Sequence, residues 1–498
     1  MKKLYLVFPE KLGTIAPEIY GHFTEHIGGV IYDGIWVGKD SAIPNIKGFR
    51  KFIIDKLKEI NPPVIRWPGG CFAETYDWRD GIGVNRPVRI NWWYNRDHRM
   101  ETNEVGTHEF MDFCNEVGTK PYFAANITSI TPLEVRDWID YCNSPKGSTT
   151  LAKERETNGH SEPFNINYWG IGNENWGGGG NMTPEVYAHE YRKYSTVAYN
   201  SAPDLKLIAC GPNAADYHWT RECMKVLSDS EKNICGFSLH YYCGYAGDPV
   251  AFTKNEYYQQ LKQASAMEEI LVRHFDIIKG YFMDKQMKLV IDEWGCWHKD
   301  GSGPSKGYNL FEQQSSIRDG LVAALTLNIF NNHCDKIMMA NIAQLVNNLH
   351  SLFLSSGEQC IVTPTYHIFN MYKEHQGATA IKTIVDKDII TFTGKDNKEE
   401  LLDNISVSAS YKEGFVTITI ANLSAEDSVI LDLETVGAEL LENAKITVLS
   451  HEDYHAHNTF ESPDTVKTYT SDIKLSSGIT ILPAGVVSIH AEIKHTDN

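Results

Sequence analysis

Two glutamates, Glu174 in YWGIGNENWGGGG and Glu293 in KLVIDEWG, each close a short apolar run, and a tryptophan follows each within two residues. An unpaired carboxylate inside a buried strand carries a large desolvation cost, so such a residue belongs at a strand end or has a chemical task. A salt-bridged strand end explains either glutamate alone. Taken together they have the pattern of paired carboxylates converging on one cavity. That is the equipment of glycoside hydrolysis, in which one acid protonates the leaving oxygen while the other attacks the sugar or activates water.

Other spellings in the chain do not carry their usual chemistry. A G-x-G-x-x-G starting at Gly170 needs glycine at position 175 and finds Asn175, so a phosphate cradle fails on its spacing. HFTEH, from His22 to His26, spells H-x-x-E-H. Zinc ligation by that motif needs both histidines on one face of a helix, whereas the surrounding IYGHFTEHIGGVIY reads as strand and loop. No other His, Cys and Asp cluster has metal-ligand spacing, and neither a metal nor a cofactor is expected.

The elements that must position the two carboxylates are legible as a repeating pattern. Eight apolar or β-branched runs recur: IYGHFTE (Ile19 to Glu25), VIRWPGG (from Val64), PYFAANI (from Pro121), NYWGIGNEN (from Asn167), LKLIACGPN (from Leu205), ICGFSLHYY (from Ile234), KLVIDEWG (from Lys288) and KIMMANIAQLVN (from Lys336). Amphipathic helical stretches separate them. TPLEVRDWIDYC opens with Thr131 as cap, Pro132 at the first helical position and Glu134 completing a capping box, and TPEVYAHEYRKYSTVAY starts the same way at Thr183 and Pro184. Strand and helix alternating eight times predict an α/β fold, a (β/α)8 TIM barrel over residues 18–375; an open doubly wound sheet is the alternative. After residue 375 the texture becomes alternating strands with turn residues, which predicts an additional C-terminal antiparallel β-sandwich over residues 376–498. The strand-like KKLYLVF within residues 1–17 is expected to join that sandwich.

In such a barrel the C-terminal strand ends build the active site. The residues there are Glu25, Cys71, Asn126, Asn173 with Glu174, His240 and Tyr242, Glu293, and Gln344. Arg66, inside the second strand, is expected to pair with a carboxylate beneath the site. Trp176 and Trp297 are placed to stack on sugar faces, although core packing explains them about as well. His240 reads equally as a structural histidine or a ligand.

WGIGNENWG and VIDEWG, together with EIYGHFTEHIGGVIYDGIW, RWPGGCF and SLHYY, resemble the α-L-arabinofuranosidases of glycoside hydrolase family 51, in the clan of barrels whose acid and nucleophile end strands four and seven. The likeness extends over essentially the whole chain. It implies a retaining double displacement on terminal α-L-arabinofuranosyl units, with Glu174 as general acid/base and Glu293 as nucleophile. It further implies that Asn173 bonds the 2-hydroxyl, that Glu25 and Gln344 hold outer hydroxyls, and that Tyr242 touches the nucleophile and ring oxygen. Cys71 would line the same subsite, and Asn126 and His240 join the substrate-binding set. Another retaining glycosidase of the clan, a β-xylosidase or an endo-glucanase, is the alternative. The loop RINWWYNRDHRMETNEVG, residues 89–106, is the segment that matches the family pattern least; with Trp92, Trp93, Tyr94 and the charged Arg96, Asp97, His98 and Arg99 it is expected to border the leaving-group side or a subunit contact.

Composition bounds the rest. The 498 residues are 42% apolar and 22% charged, an ordinary globular balance, and 46 basic against 64 acidic residues give a net charge of −18. So acidic a surface argues against nucleic acid or anionic membrane as partner, and a neutral substrate fits better. Ten cysteines without a C-x-x-C pair suit reduced thiols. The opening residues have no apolar core of signal-peptide length, so a cytoplasmic location and arabinose-containing oligosaccharides as substrates are expected. The resemblance also implies a homo-oligomer, commonly a hexamer.

Overall fold

The computed structural model describes residues 1–95, 99–229, 234–244, 247–283, 287–395 and 397–494. Each of the eight runs read from the sequence forms one strand of a closed parallel barrel: Gly21–Phe23, Val64–Trp67, Lys120–Ala125, Tyr168–Ile171, Lys206–Ala209, Gly236–Gly244, Lys288–Trp297 and Ile337–Ala343, the last pairing back onto the first. The first strand is shorter than the run predicts. Pro17 fixes the backbone for a helical turn, and Pro17–Tyr20 forms a 3-10 turn ahead of the strand. Inside the barrel, Val64, Tyr122, Tyr168, Ile208, Val290 and Met339 fill the lower end as one apolar layer. That layer is the floor on which the polar residues stand.

The helices start where their caps predict. Glu134 N–H donates to Thr131 Oγ1 at 3.3 Å and Thr131 N–H to Glu134 Oε2 at 2.6 Å, closing the capping box of Pro132–Asn143. Helix Ile317–Asn332 differs from the rest because it is buried on every side. One side packs on the barrel and the other on the second domain, so its polar residues need internal partners. Asn328 Oδ1 accepts from Ser408 Oγ and Thr419 Oγ1, both at 2.9 Å, and Asn331 Oδ1 accepts from Tyr20 at 2.9 Å.

The second domain is a nine-stranded sheet curled into a sandwich. Leu431 and Ile479 from one wing and Ala444 and Ile446 from the other meet in a single apolar cluster with Ile418 and Ile489. Strand Lys2–Thr14 lies inside this sheet, antiparallel to Thr379–Val385 and parallel to Val429–Val436.

Several histidines are enclosed by this packing. Burial pulls His22 and His375 down to about 3, and His274 and His350 down to about 4. An unfolded histidine titrates near 6.5, so below that pH the unfolded chain binds more protons than the folded one, and stability present above pH 6.5 drains away as pH falls towards 3 to 4. The unfolding free energy from urea titration, followed by tryptophan fluorescence, should therefore fall steadily below pH 6, by up to about 1.4 kcal/mol per pH unit for each such histidine, and the midpoint with it. An unchanged midpoint between pH 7 and pH 5 would contradict this account.

Candidate active site

At the C-terminal mouth of the barrel, strand four runs out at Ile171 and the chain turns sharply through Gly172, Asn173 and Glu174. Glu174 itself sits at φ +44°, in the left-handed region that non-glycine residues seldom occupy. Opposite it, Glu293 lies within strand seven, and His240 of strand six pairs with it in register. His240 Nδ1 stands 2.9 Å from Glu174 Oε1 and 3.6 Å from Glu293 Oε2, and a carboxylate oxygen of each glutamate lies within 4.8 Å of one on the other.

The two carboxyls have different surroundings. Glu293, whose side chain is 8% exposed, accepts from Arg66 Nη1 at 2.9 Å and from the Tyr242 hydroxyl at 2.7 Å. Burial alone would raise its carboxyl, but the imidazole of His240, the Arg66 guanidinium and the Tyr242 hydrogen bond outweigh that and hold it below the ordinary carboxylate value. Glu174 is 19% exposed at the opening; it accepts from the Cys71 thiol at 3.4 Å and meets the His240 ring. His240 is pulled down by burial, yet Glu293 and Glu174 raise it above its ordinary value. Burial and the charge of Glu293 push Glu25 up to about 7.

Most of the residues expected from the sequence converge here. Arg66 Nη2 donates to Asn173 Oδ1 at 2.6 Å, so one guanidinium holds both Glu293 and the residue preceding Glu174. Glu25 accepts from Gln344 Nε2 at 2.8 Å and from the Phe72 N–H at 3.0 Å. Gly70 must be glycine: a Cβ there would lie 2.6 Å from Glu293 Oε1. Trp297 forms a half-buried wall, edge-on to Tyr242 at 5.2 Å and to Phe311 at 5.0 Å.

Asn126 has local partners. Its amide donates to Tyr76 O and Ser129 Oγ while its carbonyl accepts from the N–H groups of Thr128 and Ser129, so the side chain closes its own loop. Trp176 packs one side against the main core. The H-x-x-E-H spelling divides among three surroundings: His22 packs on Phe369, Glu25 faces the site, and His26 accepts from Trp67 Nε1 and meets Glu101. Because an indole N–H only donates, His26 carries its proton on Nδ1 and gives it to Glu101. In the 89–106 loop, Trp92 is exposed, while the ring of Trp93 reaches to within 4.0 Å of a Cβ built on Gly178, beside Cys71. Arg96, Asp97 and His98 lie outside the described residues. One site residue escaped the sequence reading altogether. Glu74, three positions past Cys71, is fully buried and bonded to the chain on either side of Glu174.

This arrangement can do acid–base and nucleophilic chemistry on one sugar. A buried carboxylate held ionised faces a more exposed carboxyl at the opening, with an oxygen of each within 4.8 Å of the other, closer than the separation of about 6.5–9.5 Å between carboxyls that leaves room for a water.

Comparison with known proteins agrees over the full length. A family model described as the α-L-arabinofuranosidase C-terminal domain matches residues 292–484, and one described as the α-L-arabinofuranosidase 1 domain matches residues 56–260. An intracellular exo-α-L-arabinofuranosidase of Bacteroides ovatus is 38% identical over 475 residues, covering 93% of this chain and 90% of the relative. The crystal structure of the GH51 arabinofuranosidase from Xanthomonas axonopodis pv. citri aligns with a TM-score of 0.90 and 34% identity over 99% of this chain and 100% of its own. That of the α-L-arabinofuranosidase from Thermotoga maritima, an arabinose complex, aligns at 0.87 and 30% over 99% and 100%.

The Arg66 contact has a measurable consequence. Replacing Arg66 with Met removes a cation that lowers the Glu293 carboxyl, so Glu293 should stay protonated to higher pH. The acid limb of the kcat/KM profile should move upward by about one unit or more, and activity at its optimum should fall at least about 100-fold, as expected when a buried charge loses its partner. An unshifted limb would mean that Arg66 does not govern that carboxyl.

Proposed function

The chain belongs to the α-L-arabinofuranosidases of glycoside hydrolase family 51, and from that membership we infer how its own residues divide the reaction. The enzyme is an exo-acting α-L-arabinofuranosidase, releasing terminal arabinofuranosyl units with retention. The observation that carries the residue assignment is the Glu174 and Glu293 pair, with carboxylate oxygens within 4.8 Å and unequal burial.

Glu293, ionised and steered by Arg66 and Tyr242, attacks the anomeric carbon while Glu174 gives its proton to the departing oxygen; the glycosidic bond breaks as the ester to Glu293 forms. Glu174, now a carboxylate, then takes a proton from water, whose oxygen displaces Glu293 and frees arabinose. His240 suits this exchange because it bonds the carboxyl that changes protonation. Asn173, fixed by Arg66, is assigned to the 2-hydroxyl, Glu25 and Gln344 to the outer hydroxyls, and Cys71 and Trp297 to the walls of the pocket. With its carboxyl raised to about 7, Glu25 is partly protonated at pH 7 and can donate or accept towards a hydroxyl.

The working division of the chain is a catalytic barrel over residues 18–375 and a sandwich over 376–498 joined by residues 1–17. Arabinose-containing oligosaccharides derived from arabinan or arabinoxylan are the proposed substrates and the cytoplasm the proposed location, a reading supported by the name of the Bacteroides ovatus relative. A homo-oligomer, hexameric on the family pattern, is the proposed assembly.

The assignment predicts that pure enzyme cleaves 4-nitrophenyl α-L-arabinofuranoside far faster than 4-nitrophenyl β-D-xylopyranoside. Glu293→Ala should reduce both to background. Glu174→Ala should lose at least about 100-fold on an oligosaccharide, yet much less on an aryl glycoside whose leaving group needs no proton. Preference for the xyloside would overturn the substrate, and turnover by Glu293→Ala would overturn the nucleophile.

A further inference from the structure

The acid at Glu174 occupies a backbone conformation that its own residue type disfavours, at φ +44°, and something must hold it there. The turn's own hydrogen bonds supply part of the hold: the N–H groups of Gly177 and Gly179 both donate to Glu174 O, at 2.7 and 3.1 Å. Those bonds close the loop behind Glu174 but do not tie it to the barrel. The tie is Glu74.

The Glu74 carboxylate is fully buried. Its Oε1 accepts from the Asn173 N–H at 2.6 Å and from Asn175 Nδ2 at 2.9 Å, the residues immediately before and after Glu174. Its Oε2 accepts from the N–H groups of Ile127 and Thr128 at 2.8 and 3.0 Å, at the end of strand three. The Asn175 amide also donates to Gly179 O at 2.6 Å, and the hydroxyl of Thr128 donates to the same oxygen at 2.7 Å, so the grip extends across the whole turn. Burial raises the Glu74 carboxyl, but the four N–H groups that reach it all donate, an arrangement that suits a carboxylate with two accepting oxygens and does not suit an amide, which brings hydrogens to a place already occupied by them.

We propose that Glu74 is a positioning residue for proton transfer: by bracketing Glu174 and fastening its turn to strand three, it aims the acid at the leaving oxygen. Glu74 meets no substrate and acts only through its neighbours. The proposal rests on the assignment of Glu174 as acid/base.

Glu74→Gln keeps size and polarity but sets an NH2 group against donors. The test compares kcat/KM, which reports the first chemical step, on an arabinofuranosyl disaccharide and on 2,4-dinitrophenyl α-L-arabinofuranoside, whose leaving group departs without a proton. The disaccharide should lose at least about 30-fold more than the activated substrate, within the range that general acid catalysis contributes, while KM for the disaccharide changes little. Equal losses on the two substrates would overturn the proposal, since a residue that merely maintains the fold scales both together. Asn175→Ala, which removes one strand of the bracket without burying a new donor, should show the same imbalance to a smaller degree and carries the test should Glu74→Gln not fold. Glu174→Ala, run alongside, separates the two readings. If it shows no such imbalance, the acid/base assignment fails and the Glu74 proposal with it; if it does and Glu74→Gln does not, only the role of Glu74 is lost.

Discussion

The barrel of this protein is built around one buried guanidinium. Arg66 rises from strand two, lies over the ring of Phe23 at 4.6 Å, and forks to Glu293 and Asn173 on strands seven and four. A charge so deep is tolerable only when it is paired, and breaking one side of such a pair is far more costly than the pair itself is worth. The geometry of the site follows from that demand. The apolar floor beneath keeps water from solvating the cation, Asp292 adds a nearby negative charge and is itself bonded by Tyr122, and the mouth is left to the carboxyls of Glu174 and Glu293.

Around Arg66 the ionisations are distributed rather than uniform. Three carboxyls, Glu25, Glu174 and Glu293, face one cavity with one guanidinium and one imidazole. Like charges at this distance cannot all ionise cheaply. The cations favour Glu293, while burial, with the charge of Glu293 added to it, lifts Glu25 to about 7, and Glu174 meets the ring of His240. The division of labour between two residues of the same chemical type is thus a property of their neighbours.

How much of this the sequence disclosed can be judged residue by residue. The eight strands were legible because buried parallel strands are short apolar runs separated by capped helices, and Thr131 with Glu134 marks its helix start as plainly in the chain as in space. Glu174 and Glu293 were legible because a carboxylate after an apolar run is anomalous. Glu74 was not, since an acid in CFAET has no periodic or spacing signature and its meaning depends on N–H groups from two other strand ends. The surroundings of Asn126 were illegible for a related reason: its place at a strand end is a statement about backbone, and its Tyr76 and Ser129 partners are supplied only by the fold.

The strand Lys2–Thr14 carries a further consequence, in time rather than in space. It is synthesised before the whole barrel, whereas the strands that flank it, Thr379–Val385 and Val429–Val436, follow the barrel. At ordinary elongation rates of about 5–20 residues per second, this apolar ribbon waits on the order of tens of seconds with both edges unpaired. Its sequence is fitted to that wait. Lys2, Lys3 and Lys11 bracket the apolar LYLVF, and Pro9 interrupts the ladder where register with Thr379–Val385 shifts, the kind of charge and proline punctuation that discourages nascent chains from pairing with one another. The barrel can close while this strand is still unpaired, and its place in the sandwich is filled only once Thr379–Val385 and Val429–Val436 reach it.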